Sequence, residues 1–291
     1  ESIISEYEQQ SGIKVIIEKY PYETVVQKAM LDFTSGTRTY DLLSVPYEYL
    51  GRLVDKGYIQ DIENYLADKE LTPDDFDVDD IVPALWKASA EWNGKKYGFP
   101  SNPCIMFMVY RKDLMENEEE KAACKAQYGY ELTVPKTPKE FYDVTEFFTR
   151  GKGEKLAGET LNENFYGLAT MSKKHAALTC DFLNWAWSFD GGIFDGSKDS
   201  GNLVVNSEKN LKALEYYKSL LKNAVPGSTD YTWDELTTAM QQGIIFAAIA
   251  FNDTMNAMED SENSKVSGKL GYALTPSDGT PGAFLGSWTY V

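Results

Sequence analysis

Residues 94–114, GKKYGFPSNPCIMFMVYRKDL, constrain the fold more than any other stretch of the 291-residue chain. An Asn93-Gly94 turn opens it, and Ser101-Asn102-Pro103 interrupts it with polar residues. From Cys104 to Tyr110 it runs apolar and β-prone, until charge returns at Arg111-Lys112-Asp113. A run this apolar, bounded by turn residues, predicts a strand buried on both faces. The residues before it read as an α/β unit, and those after it as a second, mostly helical unit. The strand either carries the chain between two lobes and bends as a hinge, or is a central strand of one domain.

The length allows two cores. A formal net charge of -17 argues against nucleic acid or an anionic membrane surface as partner, since both need basic patches. No apolar run approaches the roughly eighteen residues of a membrane-spanning helix. The opening ESIISEYEQQ lacks the basic start and apolar run of a signal peptide, a segment that an exported protein would already have lost. Three cysteines, Cys104, Cys124 and Cys180, show no CxxC spacing. An odd number argues against a full disulfide framework.

Along the first unit, residues 1–11 read as a helix ended by Gly12, Ile13 to Ile17 as a strand and Tyr22 to Thr34 as a helix. Asp41 to Val45 then read as a buried strand and Leu50 to Lys56 as a helix stopped at Gly57. Such alternation implies a parallel sheet covered on both faces, with ligands beyond the carboxyl ends of its strands. Tyr47 and Glu48 stand at one such end. The alternation begins with a helix rather than with the strand that should precede it, so the natural chain is expected to extend upstream of Glu1. The acidic segment Asp68 to Asp80 places Asp75, Asp77 and Asp79 like the first half of a calcium loop, but Asp80 and Trp86 occupy the positions that need Gly and Glu. It reads as a solvated connector leading to a helix from Ile81 to Ala90.

In the second unit, Asn117 to Gln127 read as an exposed charged insertion, and Thr137-Pro138 start a helix through Phe148. Phe165 to Thr170 suit a short strand. Ala176 to Phe189 form an almost wholly apolar helix that carries Asp181, Asn184 and Ser188 on one face; in a buried helix such groups must be paired or must line a wet cavity. Phe194 to Val205 read as a hairpin turning within residues 195–202. Ser207 starts a helix with Leu211, Leu214, Tyr217 and Leu221 inward, and Trp233 to Gln242 form another. Ile244 to Phe251 is a buried strand with Asn252-Asp253-Thr254 at its carboxyl end. Lys269 to Leu274 and Ala283 to Val291 are further strands, separated by a polar turn from Pro276 to Pro281.

The single His175 excludes His-rich metal sites and HExxH. Neither a GxSxG elbow nor a Walker A sequence occurs, and no cofactor is implied. Carboxylates are abundant, but sequence does not show two facing each other at the roughly 5 to 9 Å a glycosidase needs.

These pieces resemble the extracytoplasmic solute-binding proteins of ABC importers, in the family that includes the maltose-binding protein and many sugar binders. Asn93-Gly94-Lys95-Lys96-Tyr97-Gly98-Phe99-Pro100 is similar to its "dGKxYGlP", and Val109-Tyr110-Arg111-Lys112-Asp113-Leu114 to its "lyYNKDLf". Asp41-Leu42-Leu43 through Ile62, Asn206-Ser207, Thr232-Trp233-Asp234-Glu235, Gln242-Gly243 and Phe284-Leu285-Gly286-Ser287-Trp288 also match in order and spacing. The family's first strand and C-terminal helices are not matched, as though the chain were trimmed at both ends. Asn252-Asp253-Thr254 stands where several sugar binders carry an aromatic.

The resemblance implies an α/β, two-lobed periplasmic-binding-protein-like fold (type II) with hinge crossover strands and an incomplete first lobe. The first lobe would comprise residues 1–108 and 282–291, and the second residues 109–281. A sugar would be captured in the interlobe cleft and delivered to membrane permease subunits by a monomer in the periplasm or lipid-anchored at the cell surface. Polyols, or a polyamine or betaine held by cation–π contact, are alternative solutes. A secreted glycoside hydrolase is the alternative of another class. The expected solute contacts are Tyr22, Tyr47, Glu48, Asn102, Asp181, Asn252, Asp253 and Trp288, with no metal.

Overall fold

A computed structural model describes residues 2–196, 201–279 and 281–291. Glu1, residues 197–200 and Thr280 lie outside them, and with 197–200 the middle of the segment where the hairpin turn is expected. The helices are α1 (Ser2–Ser11), α2 (Tyr22–Ser35), α3 (Leu50–Asp55), α4 (Glu63–Ala67), α5 (Pro83–Leu85) and α6 (Lys112–Met115), then α7 (Glu118–Tyr128), α8 (Pro138–Phe147), α9 (Ala176–Ser188), α10 (Glu208–Leu220), α11 (Trp233–Gln241) and α12 (Met255–Met258). The strands are β1 (Ser44–Pro46), β2 (Glu91–Trp92), β3 (Lys95–Lys96), β4 (Phe99–Arg111) and β5 (Lys155–Leu156), then β6 (Glu159–Thr160), β7 (Tyr166–Leu168), β8 (Ile245–Phe251), β9 (Leu270–Ala273) and β10 (Leu285–Tyr290). They divide into two compact units, Glu1–Pro103 with Ser287–Val291, and Cys104–Gly286. The chain crosses between the units inside β4 and again inside β10.

In the first unit β1 pairs antiparallel with the returning β10, setting Val45 opposite Thr289 and Pro46 opposite Trp288. The parallel sheet expected from the alternation does not form in this unit among the described residues, because the neighbour of β1 comes from the far end of the chain. Ile13 to Ile17 form no strand among the described residues, and Ile16 is 77% exposed. β-branched residues fit a strand only where a neighbour completes the ladder. The core here is small: Ala29, Val45 and Leu53, with Phe33, Tyr58 and Val291 packed against it. The helix expected from Ile81 to Ala90 forms from Pro83 to Ala90 and changes type along its length. Pro83 starts a single turn, and the chain widens into a π-turn over Trp86–Ala90. Asn93 (φ 50°) and Gly94 (φ 78°) both take the left-handed conformation that joins β2 to β3 in a tight hairpin.

The second unit is built on β4, which pairs antiparallel with β8 and β9. β7 adds in parallel to β8. Every residue of β8 is buried, as its unbroken apolar run predicts. β4 is buried on both faces only from Met108 to Tyr110; Ile105 is 44% exposed, so its first half alternates. α7 is a packed helix rather than an exposed insertion. Asn117 caps it, Cys124 is buried, and the buried Glu120 accepts a hydrogen bond from the Ala157 N–H at 2.7 Å. α10 is rotated from the expected face, with Asn210, Ala213, Tyr217 and Leu220 inward and Leu211 and Leu214 outward. Asn210 fixes that rotation by bonding Gly192 through both ends of its amide, at 2.9 and 2.7 Å. These bonds satisfy an amide that burial would otherwise leave without partners.

Candidate functional site

Three of the residues expected to touch a solute meet in the first unit. Pro21 leads into α2, and Tyr22 is its first residue. The strand register places Pro46 across from Trp288, and one 3-10 turn over Tyr47–Tyr49 comes next in the chain. Tyr22 lies within reach of both elements. Its hydroxyl donates to Glu48 Oε1 at 2.5 Å, and its ring meets the Trp288 indole edge-on at 5.6 Å and 82°. Trp288 and Tyr47 are half-buried, and Glu48 is exposed. The group thus offers an indole beside a carboxylate held in place by a phenol. Such a set can stack on an apolar sugar face and accept hydrogen bonds from hydroxyls.

In the second unit Asn252 and Asp253 lie exposed in the turn that ends β8. Asn252 Oδ1 accepts the Ile105 N–H at 2.7 Å, which ties this turn to β4. Thr254 Oγ1 closes the turn on the Phe251 carbonyl at 2.7 Å. Asn102 stands just before the division within β4, with φ 43°. Asparagine enters the left-handed region more readily than most residues.

Asp181 is placed apart from these groups. It is 2% exposed inside the second unit, and its Oδ2 accepts the Met171 N–H and the Tyr217 hydroxyl, each at 2.9 Å. Burial raises its carboxyl from the ordinary 3.8 to about 6, against the lowering effect of those two bonds. Asn184 and Ser188 on the same face are buried and bonded as well. Asn184 Oδ1 takes the Phe284 N–H at 2.8 Å, and Ser188 Oγ gives to the Asn184 carbonyl at 2.8 Å. The polar stripe of α9 is therefore paired within the protein. Asp181 serves as an anchor for the segment after β7.

Sequence reasoning passed over one feature next to Glu48. A cavity of about 530 Å³ opens between α3 and the β2–β3 hairpin, lined among others by Tyr47, Glu48, Arg52, Lys87 and Trp92. The Asn93-Gly94 turn directly after Trp92 was the available signal, since a tight hairpin fixes the side chain beside it. Among the described residues no group of three or more His, Cys, Asp or Glu could hold a metal ion. No helix among them is long and apolar enough to cross a membrane.

The family described as bacterial extracellular solute-binding protein matches residues 2–291. A probable ABC transporter-binding protein of Deinococcus radiodurans is 32% identical over 200 residues, covering 67% of this chain and 42% of its own length. An ABC transporter solute-binding protein from Agrobacterium radiobacter K84, solved in complex with ribitol, superposes with a TM-score of 0.82 at 24% identity, over 99% of this chain and 66% of its own. A second, from Agrobacterium vitis S4 with bound D-mannitol, gives 0.78 at 20% identity, over 99% and 64%. The chain thus spans about two fifths of the length of that relative and just under two thirds of each structure. At these identities the structures establish the fold, and the α/β two-lobed expectation is borne out.

Proposed function

The chain belongs to the bacterial extracellular solute-binding protein family, and from that premise we propose that it is the solute-capturing component of an ABC importer. Its solute is a sugar or a sugar-like polyol, taken up outside the cytoplasm and passed to membrane permease subunits. The protein acts as a monomer and by recognition, without turnover. The observation that carries the reading is the convergence of Tyr22, Glu48 and Trp288, which come from three distant parts of the chain. An indole for a C–H face and a fixed carboxylate for hydroxyls are what a polyhydroxylated solute requires. The ribitol and D-mannitol bound by the two structural relatives support the polyol arm. Tyr47, Asn102, Asn252 and Asp253 are proposed as further solute contacts. Asp181 is left out because it is 2% exposed and its Oδ2 is bonded to Met171 and Tyr217 within the protein.

Calorimetry against maltose, D-mannitol, ribitol, betaine and spermidine tests this. Binding of a sugar or polyol is expected. Trp288→Ala and Asp253→Ala should each weaken it by about 1 to 3 kcal/mol, through lost stacking or an unpaired solute hydroxyl, with the fold kept by circular dichroism. Unchanged affinity in both variants would sink the contact assignment. Hydrolysis of a glycoside by the purified protein would overturn the reading of a binding protein.

A further inference from the structure

We infer that Asn184 is a positioning residue for solute capture: from inside the second unit it pins both strands by which the chain passes between the units, without touching solute itself. This rests on the solute-binding reading above and adds to it a residue that acts through the crossovers. The division of the chain falls between Pro103 and Cys104 in β4 and between Gly286 and Ser287 in β10. Asn184 stands on α9 and is fully buried. Its Oδ1 accepts the N–H of Phe284, just before the second division, at 2.8 Å. Its Nδ2 donates to the Cys180 carbonyl at 2.7 Å and to the sulfur of Met106, just after the first division, at 3.2 Å. One amide thus holds its own helix and both crossover strands.

The residues around Met106 are held in turn. The Met106 N–H donates to the Phe284 carbonyl at 2.9 Å, which joins the two strands to each other. The Ile105 N–H donates to Asn252 Oδ1 at 2.7 Å. Gly286 lies so close to Cys104 that a Cβ on the glycine would stand 2.7 Å from the cysteine sulfur. Cys104, Ile105 and Met106, which open the second unit, are therefore each fixed within it. The residues just before them differ: Asn102 takes a left-handed φ of 43°, and Pro103 has no N–H to bond. A buried amide that loses its partners is costly, so Asn184 resists a shift of either strand. Its two ends are not interchangeable, since one meets an N–H and the other a carbonyl. Asn102 precedes Cys104 by two positions and Trp288 follows Gly286 by two, so two of the proposed solute contacts continue directly from the strands that Asn184 pins. When the arrangement competent to bind is only fractionally populated, apparent affinity falls by that fraction.

The test is calorimetry of the protein with ribitol, D-mannitol and maltose. Asn184→Leu keeps the size of the side chain and removes its bonds to Phe284, Cys180 and Met106; it should weaken each probe that the wild type binds by about tenfold. Gly286→Ala leaves Asn184 in place but forces the strands apart, and should weaken binding by about as much. Adding Cys104→Ala to Gly286→Ala makes room for the new methyl and should recover most of that loss. Phe246→Leu loosens the same core at the start of β8, away from Phe251 at its end, and should leave affinity within about twofold. This control separates positioning from general loosening. If Asn184→Leu fails to fold, Gly286→Ala and its recovery decide, and absence of either the loss or the recovery would overturn the proposal. Unchanged affinity in a folded Asn184→Leu would also overturn it, as would an equal loss in Phe246→Leu, and each of these leaves the solute-binding reading standing. No binding of any of the three probes by the wild type would remove both.

Discussion

The two units of this chain are packed to different depths. The second holds one continuous core running from Cys104 to Leu270, in which Phe246 stacks on Phe148 at 4.1 Å. The first has a cluster of only Ala29, Val45 and Leu53, with Leu50, Trp86 and Ala90 buried outside it, while Ile3, Ile13, Ile17 and Leu31 face outward. Yet the first unit carries the Tyr22–Glu48–Trp288 group and the cavity beside it. Stabilisation scales with the apolar area removed from water, so the two units should differ in stability and open separately. The proposed solute contacts of the first unit thus rest on a few side chains fixed by register and hydrogen bonds rather than on the larger core.

The largest expected effect tests that difference directly. Phe246→Ala empties a fully buried site between β8 and the helices, and should cost the second unit about 3 to 5 kcal/mol. Leu53→Ala in the first unit should cost about 2 to 3 kcal/mol, because a small cluster relaxes into the space left behind. Hydrogen exchange monitored through denaturant should show two transitions, each moved by its own variant. A single transition shifted equally by both would break the comparison.

A buried carboxylate sharpens it next. Asp181 has its carboxyl raised to about 6 by burial, so the folded state binds its proton more readily than the unfolded chain does. Its favourable contribution is therefore complete below about 3.8 and is lost as pH rises through about 6. The shift corresponds to roughly 3 kcal/mol at most. Asp181→Asn keeps an acceptor for Met171 and Tyr217 and removes the titration. The stability of the second unit relative to this variant should fall between pH 4 and pH 7, while the first unit shows no such difference. A pH-independent difference between wild type and variant would refute the assignment.

Much of this was legible in the chain, and the remainder was hidden for physical reasons. The Asn93-Gly94 hairpin, the apolar β8 and the Thr137-Pro138 helix start are local signals, and each appears as read. The approach of Tyr22, Glu48 and Trp288 depends on β10 pairing with β1, a contact far apart in sequence, and only the family resemblance pointed to it. Leu211 and Leu214 were placed inward because helical periodicity counts apolar residues and ignores the buried amide of Asn210. Asp181 was proposed as a solute contact because a polar stripe on an apolar helix looks the same whether its partners are protein or ligand. For the cavity at Trp92 the Asn93-Gly94 turn is the one signal, since a glycine making room for an indole, as Gly51 does, is like any other glycine in sequence.

The smallest effect concerns how the helices begin. In the second unit α7, α8, α9 and α10 start on Asn117, Thr137, His175 and Ser207, whose side chains accept from the first-turn amides. In the first unit α2, α3 and α4 start on Pro21, Tyr49 and Ile62, with no side-chain cap. An uncapped start leaves its first amides to water, so these helices depend on packing alone. Thr137→Ala removes the acceptor of the Glu140 N–H at 3.2 Å and should cost the second unit about 1 kcal/mol. Part of the start survives, because Glu140 Oε2 still takes the Lys136 and Thr137 amides. Pro21→Ser supplies a cap to α2 but frees the unfolded chain, and these opposing terms should leave the first unit within about 0.5 kcal/mol. Thermal melts of the two variants check both values. A loss near 1 kcal/mol for Pro21→Ser would mean that the proline itself sets the entry to α2, and with it the position of Tyr22.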